Sequence, residues 1–100
     1  MVRAQFDVYR LPNGRLVVDV QSPLATVHGT HLVIPLIERG DATPAIDRLN
    51  PRLDFEGSTW VLATHFATTI DAKLLKDAVA LLADEEWAIK GALDFLVNGF

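Results

Sequence analysis

The sequence predicts one α+β domain, mainly antiparallel β, that spans residues 1–100. Three observations support this prediction: hairpin patterns at 6–20 and 52–66, a nearly continuous apolar stretch between them, and an amphipathic helical pattern at the C-terminal end. Together they give about five strands and one helix. Because no repeat, low-complexity tract or charge run divides the chain, we place no domain boundary.

The first hairpin is predicted by alternating apolar residues at 6–8 and 16–20. They flank Asn13-Gly14, and Asn-Gly is the strongest short-range hairpin signal. Pro23 follows the second strand, where a residue without an N–H group ends the ladder.

Residues 31–37 form the apolar stretch and predict a central strand covered on both faces. Pro35 within this strand lacks an N–H donor, so we expect it at a bulge or an edge bond. The polar residues at 38–44 predict a loop, and 45–50 carry no clear pattern.

The second hairpin is predicted at 52–55 and 59–66, with a turn at 56–58 that contains Gly57. Trp60 lies in the return strand, where we interpret it as a core or interface anchor rather than a platform for nucleic-acid bases. Residues 70–83 are ambiguous, because their apolar residues recur at helical spacing and propensity alone predicts a helix there.

The C-terminal helix begins, by prediction, with Asp84 as its N-cap and ends at Asn98-Gly99. Glu86 and Lys90 are spaced for a favourable i,i+4 ion pair. The helix carries apolar stripes on both sides, and a stripe on each side predicts two partners. One stripe, predicted to pack on the chain's own core, is Ile89, Ala92, Leu93, Leu96 and Phe100; the other, predicted to lie near a second copy, is Trp87, Gly91 and Phe95.

Composition narrows the functional classes. The chain has no cysteine, which excludes disulfides, thiol catalysis and cysteine-ligated zinc. No apolar run reaches the roughly 20 residues that span a bilayer, and no signal peptide is recognisable, so we expect a cytoplasmic protein without membrane contact. The net charge of −4 disfavours direct nucleic-acid binding. The 50% hydrophobic content and mean hydropathy of +0.24 favour an oligomer.

The side chains with catalytic or ligating potential form no recognisable constellation. The histidines lack a carboxylate at a fixed offset and are predicted to lie at the surface, and the serines lack a nucleophile elbow. We therefore expect no metal, no cofactor and no catalytic residue, and an interaction protein is the default. The residues considered are His28, His31, His65, Ser22, Ser58, Asp41 and Asp47.

Over nearly its whole length, the sequence resembles the CcdB family of toxins. The first hairpin and the 38–50 loop differ in length from the family pattern, and loops tolerate such changes. The residues that carry the resemblance are Val18-Asp19-Val20-Gln21-Ser22, Val33-Ile34-Pro35-Leu36, Leu49, Pro51, Gly57, Trp60, Thr64, Ala67, Ile89-Lys90 and Ala92.

The resemblance implies a twisted five-stranded antiparallel sheet of SH3-like barrel character, a small accessory sheet, one C-terminal helix and a symmetric homodimer. It also implies a strand and a short extended piece for residues 70–83. We adopt this prediction over the helix, since tertiary context overrides propensity.

The resemblance implies a toxin that is not an enzyme. Such toxins bind the A subunit of DNA gyrase at the dimer two-fold axis, trap the cleaved DNA complex and are removed by a CcdA-like antitoxin. The corresponding site here is Leu24, Asn98, Gly99 and Phe100. The family's terminal Trp-Gly-Ile is replaced by Asn98-Gly99-Phe100, so the tryptophan that stacks on a gyrase arginine is lost.

Alternative functions remain open at this point. A MazF-like ribonuclease has the same fold and would use a basic surface, and a diverged relative would bind the antitoxin but not gyrase. The ribonuclease candidates are Arg10, Arg15, His28, Thr30 and His31.

Overall fold

The computed structural model describes residues 5–25, 29–38 and 48–99. These residues form an antiparallel sheet and one α-helix, which confirms the predicted α+β class. The strands are β1 Asp7–Arg10, β2 Leu16–Asp19, β3 Thr30–Glu38, β4 Arg52–Phe55, β5 Ser58–Leu62, β6 Thr68–Asp71 and β7 Asp77–Leu81, and the helix is α1 Glu86–Asn98.

All seven strands of the described residues belong to one connected sheet, in the order β4-β5-β3-β2-β1-β7, with β6 also paired to β3. The predicted class fits, but the sheet has seven strands rather than about five, and no second sheet is present among the described residues. The physical reason is the length of β3, which pairs with β6 along Thr30–Val33 and with β5 along Leu36–Glu38.

Pro35 lies in the gap between these two partners of β3. β6 pairs as far as Val33, and β5 begins to pair at Leu36. On that side the carbonyl of Pro35 accepts a hydrogen bond from Ala63 N–H at 2.9 Å. The missing N–H of proline thus falls where no strand requires it, as expected for an edge bond, and no bulge is needed.

Residues 70–83 form strands and short turns, not a helix. β6 and β7 flank a 3-10 turn at Ala72–Leu74, and β7 pairs with β1. The strand assignment implied by the family resemblance is confirmed. Helical spacing was misleading here because Leu75 and Leu82 are buried whereas Leu74 is exposed, so the apolar residues do not share one face.

Both predicted hairpins are present. A loop at 11–15 joins β1 to β2, with Gly14 at φ 86°. Glu56 and Gly57 join β4 to β5 with φ 51° and 78°, which is the left-handed pair of a type I′ turn. The predicted return strand to residue 66 is too long, because β5 ends at Leu62 and a 3-10 turn, Thr64–Phe66, follows.

The predicted N-cap of the helix is wrong. Asp84 lies in a 3-10 turn, Ala83–Glu85, and α1 begins at Glu86 without a side-chain cap. The backbone of this turn is already bonded, since Glu85 N–H donates to Leu82 O at 2.9 Å. The Glu86–Lys90 ion pair forms at 3.3 Å, as predicted.

The main core lies between the sheet and α1, and a smaller cluster lies on the opposite face of the sheet. Ile89 and Ala92 are the helix residues that are fully buried. The smaller cluster is centred on Tyr9, Val17, Val33 and Leu75. The expectation that β3 is covered on both faces is therefore confirmed.

His31 is buried, so the prediction that it lies at the surface is wrong. Its Nδ1 atom lies 2.9 Å from Oδ2 of Asp19, and both side chains are almost fully buried. The other carboxylate oxygen of Asp19 accepts the N–H of Gln21 at 3.1 Å. The sequence pattern could not reveal that Asp19 is the partner of His31, because Asp19 lies 12 residues away on the neighbouring strand β2.

We expect Asp19→Ala to lower the free energy of unfolding by about 3 kcal/mol, because it leaves the buried His31 Nδ1 without its hydrogen-bond partner and the half-buried Gln21 N–H without its acceptor. Urea unfolding at one protein concentration measures the change. Asp54→Ala is the matched control: Asp54 is exposed and, among the described residues, accepts a side-chain hydrogen bond only from the Thr59 hydroxyl, so a loss of about 1 kcal/mol or less is expected. Equal losses in the two variants would contradict a structural role for the buried carboxylate.

Candidate partner-binding surfaces

Helix α1 is the scaffold for most of the predicted binding residues. Ile89 and Ala92 are fully buried and hold the helix against the sheet. The opposite side of the helix therefore faces away from the core. Within the predicted core stripe Leu93 packs on the core, but Leu96 is 43% exposed, so burial decreases toward the C-terminal end. The final turn of the helix is therefore a surface feature.

The stripe predicted to meet a second copy is accessible in the single chain. Trp87 is 83% exposed, and Gly91 is half-buried. They line an open groove of about 210 Å³ together with Arg48, Pro51 and Ala88. A Cβ atom on Gly91 would meet nothing within 4 Å, so the missing side chain keeps this groove open rather than relieving a clash inside the chain.

Phe95, the third residue of this stripe, already has a partner in its own chain. The Arg48 guanidinium carbon lies 5.2 Å from the centre of the Phe95 ring, which is a cation–π geometry. Sequence reasoning missed Arg48, because a turn at 48–50 carries no periodic signal and the contact spans 47 residues of chain. This contact holds the turn against the helix beside Trp87.

The C-terminal end of α1 carries the residues predicted to bind gyrase. Asn98 and Gly99 are exposed. Gly99 has φ 80° and donates its N–H to Phe95 O at 2.8 Å, which confirms the predicted left-handed C-cap. Phe100 lies outside the described residues.

Leu24 is presented on a separate 3-10 turn, Pro23–Ala25, and is 95% exposed. Several hydrogen bonds hold this turn: Leu24 N–H donates to Ser22 Oγ at 3.2 Å, and Gln21 Nε2 donates to Ala25 O at 2.7 Å. No hydrogen bond, ion pair or ring contact among the described residues joins Leu24 to Asn98. Within one chain, the predicted gyrase-binding residues thus belong to two separate elements.

The ribonuclease candidates that lie within the described residues are not brought together. Arg10 and Arg15 flank the β1–β2 loop, next to Leu16, which stands opposite Leu36. Thr30 is six residues from Leu36 along β3, so it lies about 20 Å from that end of the sheet. His31 is buried, and His28 lies outside the described residues.

The remaining titratable candidates form no metal centre in the part of the chain that the structure describes. His65 is exposed, and its Nδ1 lies 3.1 Å from Nδ2 of the buried Asn50, which also donates to Leu62 O. Asp41 and Asp47 lie outside the described residues. Across 5–25, 29–38 and 48–99, no helix is long and apolar enough to cross a membrane.

Comparison with known proteins gives a family and a fold. The family model described as CcdB protein matches residues 5–99. A chain in the crystal structure of MazE-MazF (Form-III) from Deinococcus radiodurans is similar to this chain with a TM-score of 0.71. The match covers 97% of each chain at 18% sequence identity, so it shows a shared fold.

If the Trp87 face forms the predicted dimer contact, we expect Trp87→Ala to weaken self-association by about thirtyfold, because a tryptophan buried in an interface commonly contributes about 2 kcal/mol or more. Light scattering over a dilution series measures the dissociation constant. Leu81→Ala, which removes an exposed apolar side chain from strand β7, is the control and should leave it unchanged. A parent mass near 11.0 kDa at all micromolar concentrations would exclude the dimer itself.

Proposed function

Since the chain belongs to the CcdB family and is therefore a type II toxin, we propose that it acts as a homodimer on the A subunit of DNA gyrase and is neutralised by a CcdA-like antitoxin. The toxin would trap the cleaved DNA complex and would carry out no catalysis of its own. The observation that carries this proposal is the exposed end of α1, where Gly99 keeps the family glycine and serves as the C-cap.

Two features of the surface support binding at this place. Leu24 and Asn98 are exposed, and each stands on backbone that is already fixed by hydrogen bonds or by the helix. A surface whose backbone is already held in place loses little conformational entropy when a partner binds. The dimer two-fold axis would then bring the two copies of the α1 end together, as the family arrangement requires.

The ribonuclease alternative has little support in this chain. Arg10 and Arg15 lie near one end of the β2–β3 ladder, Thr30 lies beyond its other end, and His31 is buried against Asp19. An acid–base reaction on RNA needs its groups within hydrogen-bond reach of one substrate. The similarity to a MazE-MazF structure concerns the fold and does not restore such a site.

We expect Phe100→Ala to remove most gyrase inhibition and Asn98→Trp to strengthen it. A partly desolvated cation–π contact is worth roughly 2 kcal/mol, so one lost or gained contact changes binding by about thirtyfold. The assay is inhibition of supercoiling by purified gyrase, and light scattering checks that each variant keeps the parent's oligomeric state. Arg52→Gln, on edge strand β4, is the control and should inhibit like the parent.

Each result of this assay has a distinct meaning. If Phe100→Ala inhibits as well as the parent, the Phe100 ring does not take over the contact of the family tryptophan, whose position is occupied here by Asn98. If neither the parent nor Asn98→Trp inhibits, the gyrase proposal is wrong, and antitoxin binding without inhibition would identify a diverged toxin. RNA cleavage by the parent would establish the ribonuclease alternative instead.

We also expect the antitoxin to bind through a disordered segment that folds on the toxin. Coupled folding buries apolar surface, so the heat-capacity change of binding should be clearly negative. Calorimetric titration of the antitoxin segment into the toxin at several temperatures measures this change. A heat-capacity change near zero would show that the segment binds without folding.

A further inference from the structure

A basic groove runs between the β1–β2 loop and the segment that leads into β7. It has a volume of about 260 Å³, which is below the usual range for drug-sized ligands and suits one or two side chains of a peptide. None of its residues belongs to the predicted gyrase or dimer surfaces. The lining residues are Arg10, Leu11, Pro12, Lys73, Leu74, Lys76 and Asp77.

The charge of this groove is opposite to that of the whole chain. The chain has a net charge of −4. The groove, in contrast, is lined by three cationic side chains, Arg10, Lys73 and Lys76, and by one acidic side chain, Asp77. Lys73 and Lys76 are exposed and make no ion pair with any described residue. Arg10 Nε is 3.8 Å from Asp77 Oδ2, and both side chains are about half-exposed or more, so this pair is weak. The three cations are available to an acidic ligand.

The groove opens onto an edge of the sheet. β7 pairs with β1 and, among the described residues, with no other strand. Its outer N–H and C=O groups can therefore accept an additional strand, and Leu81 on it is 74% exposed. The five residues of β7 span about 17 Å, the length of a short extended peptide.

The edge is rigid before any partner arrives. Leu75, just before β7, is buried in the smaller core cluster, and Leu82, just after it, donates its N–H to Phe6 O at 3.0 Å. The turn before Leu75 is held by Asp71, whose Oδ1 accepts Lys73 N–H at 2.9 Å. Both ends of β7 are thus fixed to the body of the domain.

The opposite edge of the sheet differs in charge. The surface groove beside β4 contains Asp54 and no lysine or arginine, being lined by Asp54, Phe55, Gly57, Ser58 and Thr59. Strand β4 itself carries Arg52 as well as Asp54, so this edge has no excess of positive charge, and an acidic segment is attracted more strongly at β7. The excess of cations beside β7 therefore favours this edge for an acidic ligand.

We propose that an extended acidic peptide segment adds to β7 as a further strand, places its carboxylates on Arg10, Lys73 and Lys76, and inserts an apolar side chain over Leu11 and Leu74. The inference rests on the proposed function in one respect, since the antitoxin is the protein that supplies this segment. It separates the antitoxin's strand site from the gyrase surface at the end of α1.

The test uses the full chain and a synthetic probe of about seven residues, in which glutamate alternates with valine and leucine. Titration of the ¹⁵N-labelled protein should shift the amide signals of residues 73–81 and of Arg10. The double variant Lys73→Gln/Lys76→Gln should bind the probe about tenfold more weakly. Arg52→Gln on the opposite edge is the control and should bind like the parent. Far-ultraviolet circular dichroism confirms that each variant is folded.

Other results would overturn the proposal. Shifts confined to other residues, equal binding of a probe with lysine in place of glutamate, or tighter binding of a single-stranded RNA oligonucleotide would each do so. So would concentration-dependent changes of the β7 signals in the free protein, which would show that a second copy occupies this edge.

Gyrase assays distinguish this proposal from the proposed function. Lys73→Gln/Lys76→Gln should inhibit supercoiling as the parent does, because both lysines lie outside the gyrase surface. If the parent does not inhibit gyrase, the proposed function fails, whereas the peptide titration still decides whether β7 accepts an acidic strand.

Discussion

The buried carboxylate of Asp19 connects the core of this protein to its surface. One oxygen lies 2.9 Å from His31 Nδ1 on β3, and the other accepts Gln21 N–H. The side chain of Gln21 continues the network, because its Oε1 accepts Leu32 N–H and its Nε2 donates to Ala25 O. A buried carboxyl group is tolerated in a core only when its oxygens have such hydrogen-bond partners. The central strands and the turn that carries Leu24 therefore depend on one another.

This dependence explains how a small domain presents exposed apolar groups without losing its shape. Leu24 is almost fully exposed, yet its turn is bonded to residues that the Asp19 network orders. At the other surface, Trp87 is exposed on a helix that Ile89 and Ala92 fix to the sheet. In each case burial on one side of an element determines the position of a side chain on the other. Rigid presentation lowers the entropic cost of binding.

Local signals in the sequence were sufficient for some parts of the fold and not for others. Asn13-Gly14, Gly57 and Gly99 act through their own backbone, so both hairpins and the end of α1 could be predicted. Residues 70–83 could not be assigned from spacing, since their strands form only by pairing with β1 and β3. The burial of His31 and the contact of Arg48 with Phe95 also depend on residues distant in sequence, which periodicity does not report.

The distribution of charge limits how an acidic partner can approach this toxin. At a distance, the net charge of −4 repels an acidic segment, and this repulsion is screened beyond about 10 Å at 0.1 M salt. Attraction therefore acts only near a local excess of cations, which the described residues provide where Arg10, Lys73 and Lys76 meet the start of β7. Because the same place is a strand edge without a partner among the described residues, the proposed site combines attraction of acidic side chains with backbone pairing. Under the proposed strand addition, repulsion over the rest of the surface would contribute to the specificity for this edge.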